Sequence, residues 1–155
     1  MKIGLFTGVL LIALTGAASA AELRLHAVLD GASVISATDS KGTGEASAFL
    51  TDDNKLRINL VFGGLASNVT GAELHLGNRS ENGAVIAPLD VRTNQRGGSL
   101  VNANVTLTPD AAASVRDGNS YLLVTTNDRP AGEIRGQLLP QPVRLPDAAI
   151  PSTNP

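Results

Sequence analysis

Two histidines, His26 and His75, carry the only side chains in this 155-residue chain whose ordinary titration lies near neutral pH, and there is no cysteine. Glu73 and His75 stand two residues apart. On a strand that spacing projects both from one face, where they could ligate one ion. His26 joins them only if its strand neighbours theirs with the same face turned outward. A structural zinc takes four protein ligands and a catalytic one three, so the preferred reading makes Glu73 and His75 solvent-facing polar residues of a half-exposed sheet. Nucleophilic hydrolysis asks for Ser, Thr or Cys beside a base. No G-x-S-x-G turn occurs and nothing in the sequence singles out a triad. The third constellation is Glu133, Arg135 and Gln137, polar residues alternating with Ile134, Gly136 and Leu138. Such a row could be an anion or carboxylate site built on the planar fork of arginine. The preferred reading is structural: an ion pair tying this strand to its neighbours, with Gly132 and Gly136 allowing a tight turn and close backbone approach.

Period-two alternation supplies the elements that must hold these residues. Leu23, Leu25, Ala27 and Leu29 share one face of a strand over 22–30. Strands over 45–50 and 55–62 are joined by the polar turn Thr51-Asp52-Asp53-Asn54. The strand over 70–76 turns Ala72, Leu74 and Leu76 inward and Glu73 and His75 outward. Asn82-Gly83 is a strong turn dipeptide leading to a short strand over 84–89, which Pro88 confines to an edge or to its last pairing position. The polar segment 92–98 is expected to be mobile, and 100–107 is another strand. Thr108-Pro109-Asp110 starts a short helix, with Thr as cap and Pro at the first helical position, and Asp117-Gly118-Asn119 ends it. Strands over 121–126 and 132–139 form a hairpin around Asn127-Asp128-Arg129-Pro130-Ala131. Seven to eight short strands with one helix predict an all-β fold, an antiparallel β-sandwich. The core must be aliphatic, because the chain has no Trp, one Tyr and three Phe.

The ends read differently. Met1-Lys2, an apolar run from Leu5 to Leu14 too short to span a bilayer, and Ala18-Ser19-Ala20 form the pattern of a secretory signal peptide over 1–20, cleaved between Ala20 and Ala21. No Cys adjoins the cleavage site, so lipid attachment is not expected. Removing the leader takes away Lys2 and leaves 11 Lys+Arg against 14 Asp+Glu. That mildly acidic, well-mixed charge disfavours nucleic acid as a partner, and the mature chain has no membrane span. Pro140, Pro142, Pro146, Pro151 and Pro155 punctuate a tail over 141–155 expected to be extended or disordered. Asn68-Val-Thr, Asn78-Arg-Ser and Asn104-Val-Thr fit the glycan-acceptor pattern, here read as chance matches.

These motifs resemble the CHRD domain, the module repeated in chordin and found singly in secreted bacterial proteins. The resemblance runs from about Leu23 to Leu139. Its most specific part is Gly132-Glu133-Ile134-Arg135-Gly136-Gln137-Leu138, the family's closing GEIRGQL motif. Gly44-Glu45-Ala46 with Phe49 and Leu50 is similar to an early G-x-A-x-F-x-L element, and Gly71-Ala72-Glu73-Leu74-His75 to a central A-H-I-H element. Glu73 stands where that element has its first histidine, and Thr125 stands in place of the histidine of a later V-H-T. If the family's histidines form a cluster, this chain keeps one of three.

Together the residues and the resemblance lead us to expect an exported domain, 21–140, secreted or periplasmic, non-enzymatic and without a cofactor, that binds a protein or an envelope surface. The sandwich is expected to be immunoglobulin-like or superoxide dismutase-like. The alternative function is a metal-binding protein or oxidoreductase on a copper-zinc superoxide dismutase-like sandwich, with Glu73, His75 and His26 as its candidate ligands.

Overall fold

The computed structural model describes residues 22–142. The leader, its cleavage site and nearly all of the proline-rich tail lie outside the described residues.

Among the described residues ten strands and one helix follow each other: β1 Leu23–Asp30, β2 Thr43–Leu50, β3 Lys55–Gly63, β4 Val69–Leu76, β5 Val85–Leu89, β6 Arg92–Thr93, β7 Gly98–Thr106, α1 Pro109–Arg116, β8 Ser120–Thr126, β9 Ile134–Gln137 and β10 Leu139–Pro140. All pairings are antiparallel, in the order β5-β4-β8-β9-β1-β2-β3-β7-β6, with β10 added beside β1. The sheet curls around one core, as expected of a sandwich-like all-β fold. β9 and β1 are joined in register at the single pair Asp30↔Arg135.

Every expected strand is present, and the two additional ones are two residues long. Segment 92–98, expected to be mobile, instead contains β6, which pairs Arg92 with Ser99 and Thr93 with Gly98. Its turn is closed by Asn94 N–H donating to the Gly97 carbonyl. The expected strand over 132–139 is divided, because Leu138 N–H donates to the Ser120 carbonyl and the chain then crosses to β1 as β10. Pro88 sits in β5, an end strand of the sheet, where a missing N–H costs no ladder bond.

The inward faces follow the alternation. Leu25, Ala27 and Leu29 of β1, Leu56, Ile58, Leu60 and Phe62 of β3, and Ala72 and Leu74 of β4 are buried in one hydrophobic, mainly aliphatic cluster with Leu122, Val124 and Ile134. Helix α1 lays Ala111, Ala112 and Val115 on the same core, and Thr108 caps it by accepting from Ala111 N–H. Gly136 is where β9 meets β1. A Cβ there would lie 2.6 Å from the Val28 carbonyl oxygen, so only glycine lets the two strands approach.

Candidate functional site

Part of the sheet's outer surface, over β8 and β9, is covered. Register places His75, Tyr121 and Gln137 in one cross-strand row on β4, β8 and β9, and Glu73, Leu123, Arg135 and Asp30 in the next. Paired residues share a face, so these rows form the outward side of β4-β8-β9. The loop from Gly77 to Ala84 folds back over them.

Tyr121 stands at the centre. Its ring stacks on the imidazole of His75, with centroids 4.9 Å apart and planes inclined by 15°. On the other side the guanidinium of Arg135 lies 3.8 Å from the ring centroid. The phenol oxygen accepts from Gly83 N–H at 3.1 Å. His75 is 7% exposed. It reaches the Gly83 carbonyl through Nδ1 at 3.1 Å and the Glu73 carboxylate through Nε2 at 3.0 Å. The expectation that Glu73 and His75 face solvent is therefore corrected for His75: the loop and Tyr121 enclose it.

Arg135 is 2% exposed. Nη2 donates to the carbonyls of Asn78 at 2.6 Å and Glu81 at 3.2 Å. Nη1 donates to Arg79 at 2.8 Å and Ser33 at 3.4 Å. The fork is thus occupied by main-chain oxygens, and Arg135 forms no ion pair among the described residues. This corrects the expected ion pair. Loop carbonyls that turn away from water need donors, and the five fixed N–H groups of a guanidinium answer several at once. Burial draws the Arg135 guanidinium down from its ordinary value, the Tyr121 ring opposes that, and the neighbouring Arg79 charge reinforces it.

The other two polar residues of the motif do similar work elsewhere. Glu133, 0% exposed, accepts from Ser40 Oγ at 2.5 Å, Ala66 N–H at 2.6 Å and Thr126 Oγ1 at 2.6 Å. Burial alone would raise its pKa, but these three donors and the charge of Arg129 leave the carboxyl below its ordinary range. Its carbonyl accepts from Thr38 Oγ1. Gln137 Nε2 donates to the carbonyls of Gly77 and Gly118, both at 2.8 Å. The short segment 133–137 therefore anchors the loops that follow β1, β3, β4 and α1.

The remaining sequence candidates do not join this group. His26 contacts Glu45 at 2.9 Å on the exposed face of β1 and β2. Two strands, β8 and β9, separate it from β4, so it cannot complete a ligand set with His75. Among the described residues no three His, Cys, Asp or Glu converge as a metal-holding group. Thr125 pairs with Gly71, two residues along β4 from Glu73, and its hydroxyl bonds Thr70 and the Gly71 carbonyl. Tyr121 was legible in the sequence only as a strand residue. Its neighbours Leu122, Leu123 and Val124 were the available signal, because an unbroken apolar run marks a strand covered on both faces.

A curled antiparallel sheet whose closing strand ties down the loops of one face defines a β-sandwich module built around the G-E-I-R-G-Q motif. The chain belongs to the CHRD domain family, whose sequence model matches residues 25–138. No curated protein matched the chain.

Proposed function

We propose that the chain is an exported, non-enzymatic CHRD module of the periplasm or extracellular space that binds another protein or an envelope surface. The observation that carries this reading is the employment of the motif. Glu133, the Arg135 fork and His75 are occupied by hydroxyl, main-chain and carboxylate partners that immobilise loops, rather than converging on a reacting centre. Immobilised loops on a rigid sheet are a common means of presenting a recognition surface. CHRD domains are generally extracellular, and the leader-like pattern over 1–20 supports export. No helix among the described residues is long and apolar enough to cross a membrane. A second reading, a metal-binding protein or oxidoreductase on a superoxide dismutase-like sandwich, draws on the direct contact between His75 and Glu73.

Affinity capture from the native envelope fraction tests both readings when metal content is measured on the same sample. The expected outcome is a saturable partner retained by the wild type and lost with Asn82→Arg, an exposed position of the covering loop, with no stoichiometric transition metal. Capture indifferent to Asn82→Arg counts against the loop surface. One zinc or copper per chain, lost on His75→Ala, would put the metal reading first.

A further inference from the structure

Six large hydrophobic side chains are exposed among the described residues, and four of them share one face of the sheet: Val28 of β1, Val61 of β3, Val101 of β7 and Leu139 of β10. Register lays that outer face out in rows across β1, β2 and β3. Arg24, Phe49 and Arg57 form the first row. His26, Ser47 and Asn59 form the second, with Leu139 beside His26. Val28, Glu45 and Val61 form the third. Val101 completes a groove with Ser47, Asn59 and Val61. The three valines are each more than half exposed. Exposed apolar side chains gathered on one face mark an association surface, whereas the same residues scattered singly would not.

The charges on this face decide what fits it. In the first row the guanidinium carbons of Arg24 and Arg57 lie 5.6 and 5.0 Å from the Phe49 ring centroid, so an apolar ring stands between two cations. The third row inverts that order: Glu45, its side chain 70% exposed, stands between two valines. Oε1 of Glu45 contacts His26, which leaves Oε2 for a second partner. The exposed 3.5 Å contact of Arg57 with Glu22 likewise leaves donors of its fork for another carboxylate. Phe49 and Glu45 lie on the same strand, with Ser47 midway between them. A two-fold axis through Ser47, running along the second row, exchanges the first row with the third. It sets Glu45 of each copy over Phe49 of the other, between Arg24 and Arg57, and lays the arginine stems over Val28 and Val61. Sheets packed face to face stand about 10 Å apart with strands within about 30° of each other, a gap that Arg and Glu side chains bridge. A two-fold axis along β2 would instead oppose Arg24 to Arg57 and Glu45 to itself, and like charges reject it. We propose that the chain forms a two-fold dimer through this face, with Glu45 of each copy received by Arg24 and Arg57 of the other. A two-fold contact must be self-complementary, and the inverted rows meet that condition. The dimer does not depend on the partner proposed above, which engages the covering loop over β8 and β9.

Sedimentation equilibrium of the full chain over a concentration series tests the proposal. The wild type should show a reversible monomer–dimer equilibrium. Glu45→Arg should raise the dissociation constant at least about tenfold, because it sets three cations against each other across the axis. The double variant Arg24→Glu/Arg57→Glu should do the same by gathering three carboxylates. Both variants should keep a cooperative melting transition, since the altered side chains lie on the solvent side of the sheet. Mixed in equal amounts they should form a heterodimer of near wild-type affinity, because every opposed pair of rows then carries opposite charge. Asn82→Arg, on the covering loop, should dimerise unchanged. A chain that stays monomeric at every concentration overturns the proposal and leaves the face to a different protein. It is equally overturned by a Glu45→Arg dimer of unchanged affinity or by a mixture of the two charge variants that stays monomeric. A dimer broken by Asn82→Arg would also overturn it, placing the contact on the loop.

Discussion

The two halves of this sheet are written in the same alternating pattern and meet opposite fates. On β1, β2 and β3 the alternation separates core from solvent: Leu56, Ile58 and Leu60 are buried, whereas Val28 and Val61 are more than half exposed on the outer side. On β8 and β9 both faces are buried, and His75, Arg135 and Gln137 are enclosed on what alternation marks as the outer side. The difference lies in the connections. The turn between β2 and β3 is four residues, Thr51 to Asn54, and stays at the end of the sheet. The connection from β4 to β5 is long enough to fold across three strands. A polar residue on a bare face is solvated, but beneath a loop the same residue type becomes the loop's hydrogen-bonding partner.

The largest expected effect comes from an arginine on each face. Arg135→Ala removes donors from four carbonyls and exposes one side of the Tyr121 ring. It should cost about 3–4 kcal/mol in a denaturant titration, since each stranded carbonyl forfeits about 1 kcal/mol or more. Arg57→Ala on the bare face loses an exposed contact with Glu22 at 3.5 Å and a position over Phe49. Less than about 1 kcal/mol is expected there. Equal losses would mean that the cover contributes nothing and that the two faces are energetically alike.

Gly83→Ala attacks the cover from the loop side. The added Cβ would fall 1.8 Å from the Leu76 carbonyl oxygen, a backbone atom that has no room to yield. The loop must lift, breaking the bonds from Gly83 to Tyr121 and His75. A destabilisation of about 2–3 kcal/mol is expected, with faster amide exchange in residues 77–84 while β2 and β3 remain protected. Uniform loss of protection across both halves would show that the cover and the sheet open as one unit.

The sequence carried the strands because their inward residues recur every second position, and Thr108-Pro109 carried the helix because capping chemistry is local. It also carried the importance of Glu133, Arg135 and Gln137, through a motif specific enough to suggest the family. It did not carry their partners. Arg135 bonds carbonyls of residues 33, 78, 79 and 81, and carbonyls are present at every position, so no residue type announces them. The expected ion pair failed for that reason: charge seeks charge in a sequence, whereas a dry loop offers main-chain oxygen. His26 failed as a partner for His75 because strand order is a long-range property that alternation does not encode.

Acid should distinguish the faces next. Glu133 is held below its ordinary carboxyl range in the fold, its donors outweighing burial. Its contribution is therefore fully present above the unfolded value, about 4.3, and is lost as pH falls from there through the lowered folded value. Glu133→Gln keeps an acceptor for Ser40 and Ala66 but cannot ionise. It should cost about 1 kcal/mol at pH 7, and the difference from wild type should vanish towards pH 2. Asp53, exposed beside Lys55, is also lowered by that lysine and by Thr51. Performing the titration in about 1 M salt screens the exposed pair and leaves the Glu133 step. A gap between wild type and Glu133→Gln that stays constant with pH would mean that Glu133 acts by shape alone.

The smallest effects offer the cleanest comparison, because each face carries one His–Glu contact of nearly the same length: His26 to Glu45 at 2.9 Å and His75 to Glu73 at 3.0 Å. They differ in surroundings. The side chains of the first pair are 32% and 70% exposed, those of the second 9% and 37%. Double-mutant cycles with alanine at His and glutamine at Glu isolate the coupling within each pair. The covered pair is expected to couple by about 1 kcal/mol and to keep most of that in high salt, because the stacked Tyr121 and the Gly83 carbonyl already fix the imidazole. The bare pair is expected to couple by about 0.3 kcal/mol, falling to nothing in about 1 M salt, because water and counter-ions compete for both groups. Were the bare pair to couple as strongly as the covered one, the loop would be a lid of no electrostatic consequence. The distinction between the faces would then rest on packing and main-chain hydrogen bonds alone.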